Sequence, residues 1–201
     1  MKLYYFPGAS SLSPHIALAE SGLDYTLERI DVASHVTEAG RDYYLVNPLG
    51  YVPALELPDG EILTEGSAIV QYIADRVPEK QLAPPNGTLA RYRLQEWLNF
   101  LATEIHQCLT PFFSPAVPDQ SKALLLARLA PRLGRLEQVL GSHDYLLRQF
   151  TVADGYLFAL LGWCDFLSID LSGYPALLAF QARIAARPAV HRALGEEGLL
   201  K

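Results

Sequence analysis

The hydrophobic pattern of the chain changes character once. Up to Arg76, short apolar runs bounded by turn residues alternate with helical periods; beyond it only the helical period persists. Leu3 to Phe6 is aromatic and apolar and stops at Pro7-Gly8, as a buried strand does. Ser13-Pro14 then sets a capping residue before a proline in the first helical turn. Ile16, Ala17 and Leu18 follow, and Gly22 ends the helix. Tyr25 to Val32 predicts a second strand, so the opening unit is β-α-β and its strands are predicted parallel by the crossover rule. A polar stretch from Ala33 to Arg41 leads to a short helix predicted over Asp42 to Val46, closed by Asn47-Pro48. Tyr51 to Leu57 and Glu61 to Thr64 flank Pro58-Asp59-Gly60, a hairpin signal. Ser67 to Arg76 carries Ile69, Val70, Tyr72 and Ile73 at helical spacing, giving the order βαβαββα.

Pro78 and Pro84-Pro85-Asn86-Gly87 form the clearest linker. The predicted organisation is an α/β domain over 1–79, a linker over 80–87 and an all-α domain over 88–201. In the second domain Leu94, Trp97, Leu98, Leu101 and Ile105 follow one long amphipathic helix that Pro111 ends. Leu125 to Leu140 is a second helix, in which Pro131 predicts a kink. Thr151 to Trp163 is nearly all apolar and predicts a buried central helix. Tyr174 to Ala186 and Ala189 to Leu194 complete the set. Strands first and helices afterwards argue for two domains of different class.

Composition narrows the function. With 16 Lys plus Arg and a net charge of −6, the chain is not built for nucleic acid or for an anionic membrane surface. No apolar run reaches membrane-spanning length, and the N-terminal one is too short for a signal peptide. Cys108 and Cys164 match neither a disulfide framework nor a zinc motif and read as reduced thiols, so the expected address is the cytoplasm. His106 and Cys108 lie about 200° apart around a helix, so no metal is expected there.

Four local features could carry chemistry. Ser10-Ser11 stands where a strand end meets a helix N-terminus, a place that favours an anion such as a thiolate; the same hydroxyls could serve the turn alone. Val52-Pro53 opens the third strand, where a cis proline would leave the Val52 backbone free to pair with an extended peptide, and a trans proline would only start the strand. Glu65-Gly66-Ser67 offers a carboxylate, a hydroxyl and amides at another helix start, enough for both ends of an amino acid, or for a simple cap. Thr151-Val152-Ala153-Asp154 reads as a capping box with a structural role.

Taken in order, these segments resemble the glutathione transferase superfamily, most closely its bacterial beta class. Met1-Lys2-Leu3-Tyr4-Tyr5 with Pro7-Gly8-Ala9-Ser10-Ser11-Leu12-Ser13-Pro14-His15 is similar to that class's opening, and Asn47-Pro48-Leu49-Gly50-Tyr51-Val52-Pro53 to its cis-proline segment. Leu63 to Ile69 is similar to its γ-glutamyl site, Leu82-Ala83-Pro84 to its linker, Trp97 to Phe100 to its first C-terminal helix, and Tyr145-Leu146-Leu147 with the capping box to its folding motif. The resemblance implies a thioredoxin-like N-terminal domain, glutathione as co-substrate, no tightly bound cofactor, and conjugation to a small hydrophobic electrophile by a homodimer. It implies that Val52 pairs its backbone with the cysteinyl part of glutathione, that Glu65 and Ser67 hold the γ-glutamyl end, and that Tyr51, Pro53 and Gly66 also meet glutathione. Asn99, Thr103 and His106 would line the site from the helical domain, where their spacing by four and three puts them on one helix face. Glu104 would reach the partner subunit's glutathione. Phe112 and Phe113 would shape the electrophile pocket.

The chain departs from that pattern at three places. Serine stands at position 10 where beta-class members carry cysteine, His35 stands where a lysine that meets the glycine carboxylate is common, and Arg148-Gln149 replaces a Gly-Asp turn. A serine cannot form a mixed disulfide, which favours conjugation over thiol-disulfide exchange. The peroxidase, isomerase and non-catalytic ligand-binding variants of the fold stay open. Lowering a thiol pKa from about 8.5 by about two units takes roughly 2.7 kcal/mol. A helix N-terminus supplies about 0.3–1 kcal/mol and one charge-assisted hydrogen bond about 1.5–3. One hydroxyl aimed at the sulfur therefore closes the gap, with Ser10 and Ser11 both candidates and His106 a further catalytic candidate.

Overall fold

The computed structural model describes residues 1–200, and they fall into two compact units, 1–83 with 187–200 and 84–186. The first unit holds β1 (Lys2–Tyr5), α1 (Leu12–Ser21), β2 (Thr26–Asp31), β3 (Val36–Thr37), β4 (Ala54–Glu56), β5 (Ile62–Thr64) and α2 (Gly66–Asp75). The sheet runs β3-β2-β1-β4-β5, with β1 and β2 parallel and every other pair antiparallel. This is the thioredoxin-like arrangement that the resemblance implies, with β3 added at the edge.

Both faces of the sheet are covered, which is why β1 reads as continuous apolar sequence rather than an alternation. Leu3 and its cross-strand partner Leu55 are fully buried on one face. Tyr4, Ala54 and Ile30 are buried with Tyr43 and Val46 on the other, the Tyr4 and Tyr43 rings lying 5.7 Å apart. Helix α1 packs against α2.

The short helix predicted at 42–46 is a single 3₁₀ turn, Tyr43–Leu45, capped by the Asp42 side chain. The loop before it contains the unforeseen β3, folded back on β2 through a turn in which Asp31 accepts from the Ala33 and Ser34 amides. The third strand is shorter than the Tyr51–Leu57 run because the Tyr51 carbonyl is drawn off the ladder. It accepts from the Tyr43 hydroxyl at 2.8 Å and the Asn47 amide at 2.7 Å. Helix α1 starts one residue earlier than Ser13, with Ser11 at its cap position.

In the second unit α3 (Leu89–Phe100) runs into a π-helical turn (Leu101–His106), the short α4 (Gln107–Leu109) and a 3₁₀ turn at Pro111. Then come α5 (Asp119–Leu140), which continues on both sides of Pro131, α6 (Val152–Phe166) and α7 (Pro175–Ala185). Helix α6 is the buried one: Leu157, Leu160, Leu161 and Cys164 have no exposed surface.

The last helix, α8 (Pro188–Glu196), groups with the first unit rather than with the other helices, because α8 packs on α1. Arg187 forms a two-pronged ion pair with Glu20 at 2.6 and 3.0 Å. His15, fully buried on α1, sits between Glu196 and Glu197 at 2.8 Å each. The sequence pattern shows only that Ala189 to Leu194 is helical; these long-range polar pairs decide which unit the helix joins. Lys201, the last residue of the range expected for the helical domain, lies outside the described residues.

Candidate functional site

The loop from Phe6 to Ser11 is set by its own backbone turn, Ala9 N–H to the Phe6 carbonyl at 3.0 Å. Ser11 is completely buried and its hydroxyl is spent locally. It accepts from the Phe6 N–H and donates to the Phe6 carbonyl, both at 3.2 Å. Ser10 is partly exposed, and its hydroxyl makes one long contact, donating to the Val52 carbonyl at 3.4 Å. Gly8, at φ 72, donates its N–H to Glu197 Oε2 at 2.8 Å, so the C-terminal segment anchors the same loop.

The Val52-Pro53 peptide is cis. Tyr51 is 70% exposed while its carbonyl is held from beneath by Tyr43 and Asn47, so the ring is free although the backbone is not. A Cβ at Gly66 would lie 3.7 Å from the Pro53 ring, which brings the cis-proline segment and the start of α2 side by side.

At that start Glu65 has φ 67, a left-handed conformation that costs a non-glycine residue about 1–3 kcal/mol and persists only where the surroundings impose it. Its carbonyl accepts from the Ala68 and Ile69 amides, and its side chain is exposed. Two residues on, the Ser67 hydroxyl is buried and makes no hydrogen bond. His35 is also left-handed, at φ 54, and packs against Tyr44 with centroids 4.6 Å apart and the rings tilted by 34°. Its Nδ1 is buried without a partner, and Gly50 leaves it room: a Cβ there would come within 2.7 Å.

In the helical unit the straight α-helical phase expected to put Asn99, Thr103 and His106 on one face does not continue to His106. The turn from Leu101 to His106 is π-helical, with more residues per turn. Thr103 donates back to the Asn99 carbonyl at 3.0 Å. Glu104 is paired within its own chain: Arg132 Nε donates to it at 2.6 Å, and a second guanidinium nitrogen also contacts it. His106 Nδ1 lies 2.7 Å from the Tyr156 hydroxyl, and its ring meets Trp163 edge to face at 4.8 Å. Burial pushes the imidazole down to about 4, so it is neutral at pH 7. Phe113 meets Trp163 edge on at 5.0 Å and stacks on Phe166 at 6.0 Å, and both phenyl rings are exposed.

Among the described residues no cluster of His, Cys, Asp and Glu could hold a metal, and no helix is long and apolar enough to cross a membrane. Four contributors were not singled out in the sequence. Tyr156 lies inside an apolar run that reads as core, Arg132 on a helix face that reads as solvated, and Asn47 in a turn. Glu197 acts over a separation in the chain of 189 residues, for which no local signal exists.

Residues 10–76 match the family described as glutathione S-transferase, N-terminal domain, and residues 100–188 match glutathione S-transferase, C-terminal domain. The chain is 46% identical over 200 residues to glutathione S-transferase GstA of Escherichia coli O157:H7, covering 99% of this chain and 100% of that one. It is 28% identical to maleylacetoacetate isomerase of Pseudomonas aeruginosa, over 96% of this chain and 95% of that one. Among solved structures it superposes on a ternary complex of BphK, a bacterial glutathione transferase, with TM-score 0.97 and 55% identity, over 99% and 100% of the two chains. A sphingomonad glutathione S-transferase complexed with glutathione gives TM-score 0.96 at 48% identity, with full coverage of both chains (100% each).

Proposed function

The chain belongs to the glutathione S-transferase family, and from that premise we propose that it joins the thiolate of glutathione to small hydrophobic electrophiles, without any cofactor held by the protein. The observation that carries the reading is the start of α2, where Glu65 is held left-handed beside a buried Ser67 hydroxyl with no partner. A folded protein keeps such a combination where a ligand completes it. An amino acid supplies both missing partners: its ammonium meets the Glu65 carboxylate, and its carboxylate takes the Ser67 hydroxyl and the α2 amides.

On this reading the γ-glutamyl end of glutathione lies on Glu65, Gly66 and Ser67, and the cysteinyl residue runs along Tyr51, Val52 and Pro53. His35 meets the glycine end. Ser10 is the hydroxyl that activates the sulfur, because Ser11 is enclosed and both of its hydrogen-bonding functions are already used. Among the described residues the contact to be exchanged at the Ser10 hydroxyl is the 3.4 Å one to Val52, at the weak limit for a hydroxyl donor. From the helical unit we propose that Asn99, Thr103 and His106 serve the site, His106 as a neutral polar group rather than a proton store. The exposed rings of Phe113 and Phe166 suit a flat apolar electrophile.

We further propose a cytoplasmic homodimer in which Glu104, already paired with Arg132, reaches the partner subunit's glutathione. The isomerase relative keeps glutathione-dependent isomerisation as the second reading. The test is a rate assay with glutathione and 1-chloro-2,4-dinitrobenzene, alongside calorimetry of glutathione alone and sedimentation. Binding with conjugation supports the reading; binding without conjugation favours isomerisation or ligand carriage; absence of binding removes it. A monomer with full affinity removes the role of Glu104.

A further inference from the structure

We infer that Tyr156 is a positioning residue that holds His106 in one neutral tautomer, with Nδ1 accepting a hydrogen bond and Nε2 carrying the proton. His106 then presents a fixed N–H donor to the second substrate. This rests on the reading above only in taking His106 to meet that substrate; the tautomer itself is a property of the free protein.

The geometry is local to the helical unit. His106 ends the π-helical turn, and Tyr156 lies in the first turns of the buried helix α6. Their separation of 2.7 Å is that of a well-formed hydrogen bond. In a neutral imidazole one nitrogen donates and the other accepts, so the direction of this one bond decides what the second nitrogen can do. A phenol with a pKa of about 10 is a better donor than an imidazole N–H, and an imidazole nitrogen with a pKa of about 6.5 is a far better acceptor than a phenol oxygen. The bond therefore runs from Tyr156 to Nδ1, and Nε2 is left with the proton.

Two rings prevent rearrangement. Trp163 abuts the imidazole at 84° and Tyr156 itself at 80°, so the ring plane is fixed by packing as well as by the hydrogen bond. Tyr156 is only 5% exposed, so water does not compete freely for its hydroxyl. The depressed basicity of His106 agrees with this arrangement, since a ring that stays neutral keeps its tautomer.

The consequence is a division of labour. As the thiolate attacks, a C–S bond forms and an electron pair moves onto the electrophile, either to stay on an acceptor group or to depart with the leaving group. A neutral N–H stabilises that charge by hydrogen bonding and keeps its proton throughout. The proton inventory does not change, so His106 is a donor and not a general acid.

The experiment is imidazole ¹⁵N NMR on the full chain labelled at histidine, wild type and Tyr156→Phe, with conjugation rates measured on the same samples. The expected wild-type spectrum shows His106 with an unprotonated Nδ1 and a protonated Nε2, unchanged down to pH 5.5. In Tyr156→Phe the two tautomers mix, kcat falls about fivefold, and KM for glutathione stays within about twofold, the loss of one hydrogen bond acting at the transition state. A wild-type spectrum with Nδ1 protonated overturns the inference without any variant. So does a Tyr156→Phe spectrum with the tautomer unchanged, or a shifted tautomer with kcat unaltered. If the wild type conjugates nothing, the proposed function fails, while the tautomer result still decides the role of Tyr156.

Discussion

Two helices of this chain begin with a hydroxyl residue and a carboxylate, and they end in opposite states. At the start of α6 every group is used. Asp154 accepts from the Thr151 amide at 2.8 Å, from the Thr151 hydroxyl at 3.0 Å and from the Leu146 amide at 2.9 Å, and it is wholly buried. At the start of α2, Glu65 is left-handed with its side chain in solvent, and the Ser67 hydroxyl is buried and unmatched. The first arrangement is complete within the chain and holds it together. The second leaves one hydroxyl unmatched beside a strained residue, as the proposed γ-glutamyl contact requires. Sequence shows the residue types at both places; the degree of satisfaction separates a cap from a binding site.

The comparison breaks most readily at α6. Asp154→Ala strips an acceptor from two buried amides and should destabilise the protein by about 3 kcal/mol, each orphaned group costing about 1–3. At about 2–4 °C per kcal/mol for a chain of this length, the melting temperature should fall by about 6–12 °C. Burial pushes the Asp154 carboxyl up to about 6 against those hydrogen bonds. The folded state therefore binds this proton more tightly than the unfolded chain does. The resulting contribution is full below about pH 4 and is lost as pH rises through about 6. The deficit of Asp154→Ala should thus be larger at pH 4 than at pH 7, in denaturant titrations at both. A deficit independent of pH, or a loss below about 1 kcal/mol, would mean that Asp154 is not the keystone of this corner.

The two serines after β1 make the same contrast one residue apart. Ser10→Ala should raise the pH midpoint of the conjugation rate by about 1–2 units, the loss of one charge-assisted hydrogen bond of about 1.5–3 kcal/mol to the sulfur. Without the donor the thiol is a weaker acid, so the rate appears only at higher pH. Ser11→Ala should leave the midpoint in place and lower stability by about 1–2 kcal/mol, because it orphans the Phe6 N–H and removes one of the two hydrogen bonds to the Phe6 carbonyl. Rate against pH at saturating glutathione and a melting curve for each variant decide it. Exchanged behaviour would return the role to Ser11, and a common midpoint for all three proteins would remove both serines from the chemistry.

How much of this was legible in advance follows physical lines. Elements whose signal is local were readable: β1 from its apolar run, the β4–β5 hairpin from Asp59-Gly60, and the α6 cap from Thr151 and Asp154. The segments proposed for the site, around Ser10, Val52 and Glu65, were visible as places, but which of Ser10 and Ser11 has its hydroxyl tied up was not. It depends on which hydroxyl turns back to Phe6, and adjacent residues of one type carry no pattern to tell them apart. The shared face of Asn99, Thr103 and His106 assumed 3.6 residues per turn, and the π-helical turn at Leu101–His106 breaks that phase without any proline or glycine to announce it. Partners distant in sequence, such as Glu197 for Gly8 and Tyr156 for His106, had no local signal at all.

The smallest effects give the sharpest test, because at α2 stability and affinity should move in opposite directions. In the ligand-free protein the Ser67 hydroxyl is buried without a partner, so Ser67→Ala should leave the melting temperature unchanged or raise it slightly, worth up to about 1 kcal/mol. Glu65→Gly removes the left-handed strain, worth about 1–3 kcal/mol, and adds unfolded-state entropy that takes back about 0.4–1, so a small net gain remains. Both variants should nonetheless bind glutathione more weakly, Ser67→Ala by about tenfold for one lost hydrogen bond to a charged group and Glu65→Gly by more, since an ion pair goes with it. Melting curves without ligand and calorimetry with glutathione read the two quantities separately. If either substitution lowers ligand-free stability by about 1 kcal/mol or more, that residue is a cap of the kind Thr151 makes, and the contrast between the two helix starts fails there. If stability holds and affinity is also unchanged, the strain at Glu65 and the empty hydroxyl at Ser67 serve something other than the γ-glutamyl end. A gain in stability paired with a loss of affinity is the signature of groups kept unsatisfied for a ligand, because no purely structural role rewards the fold for their removal.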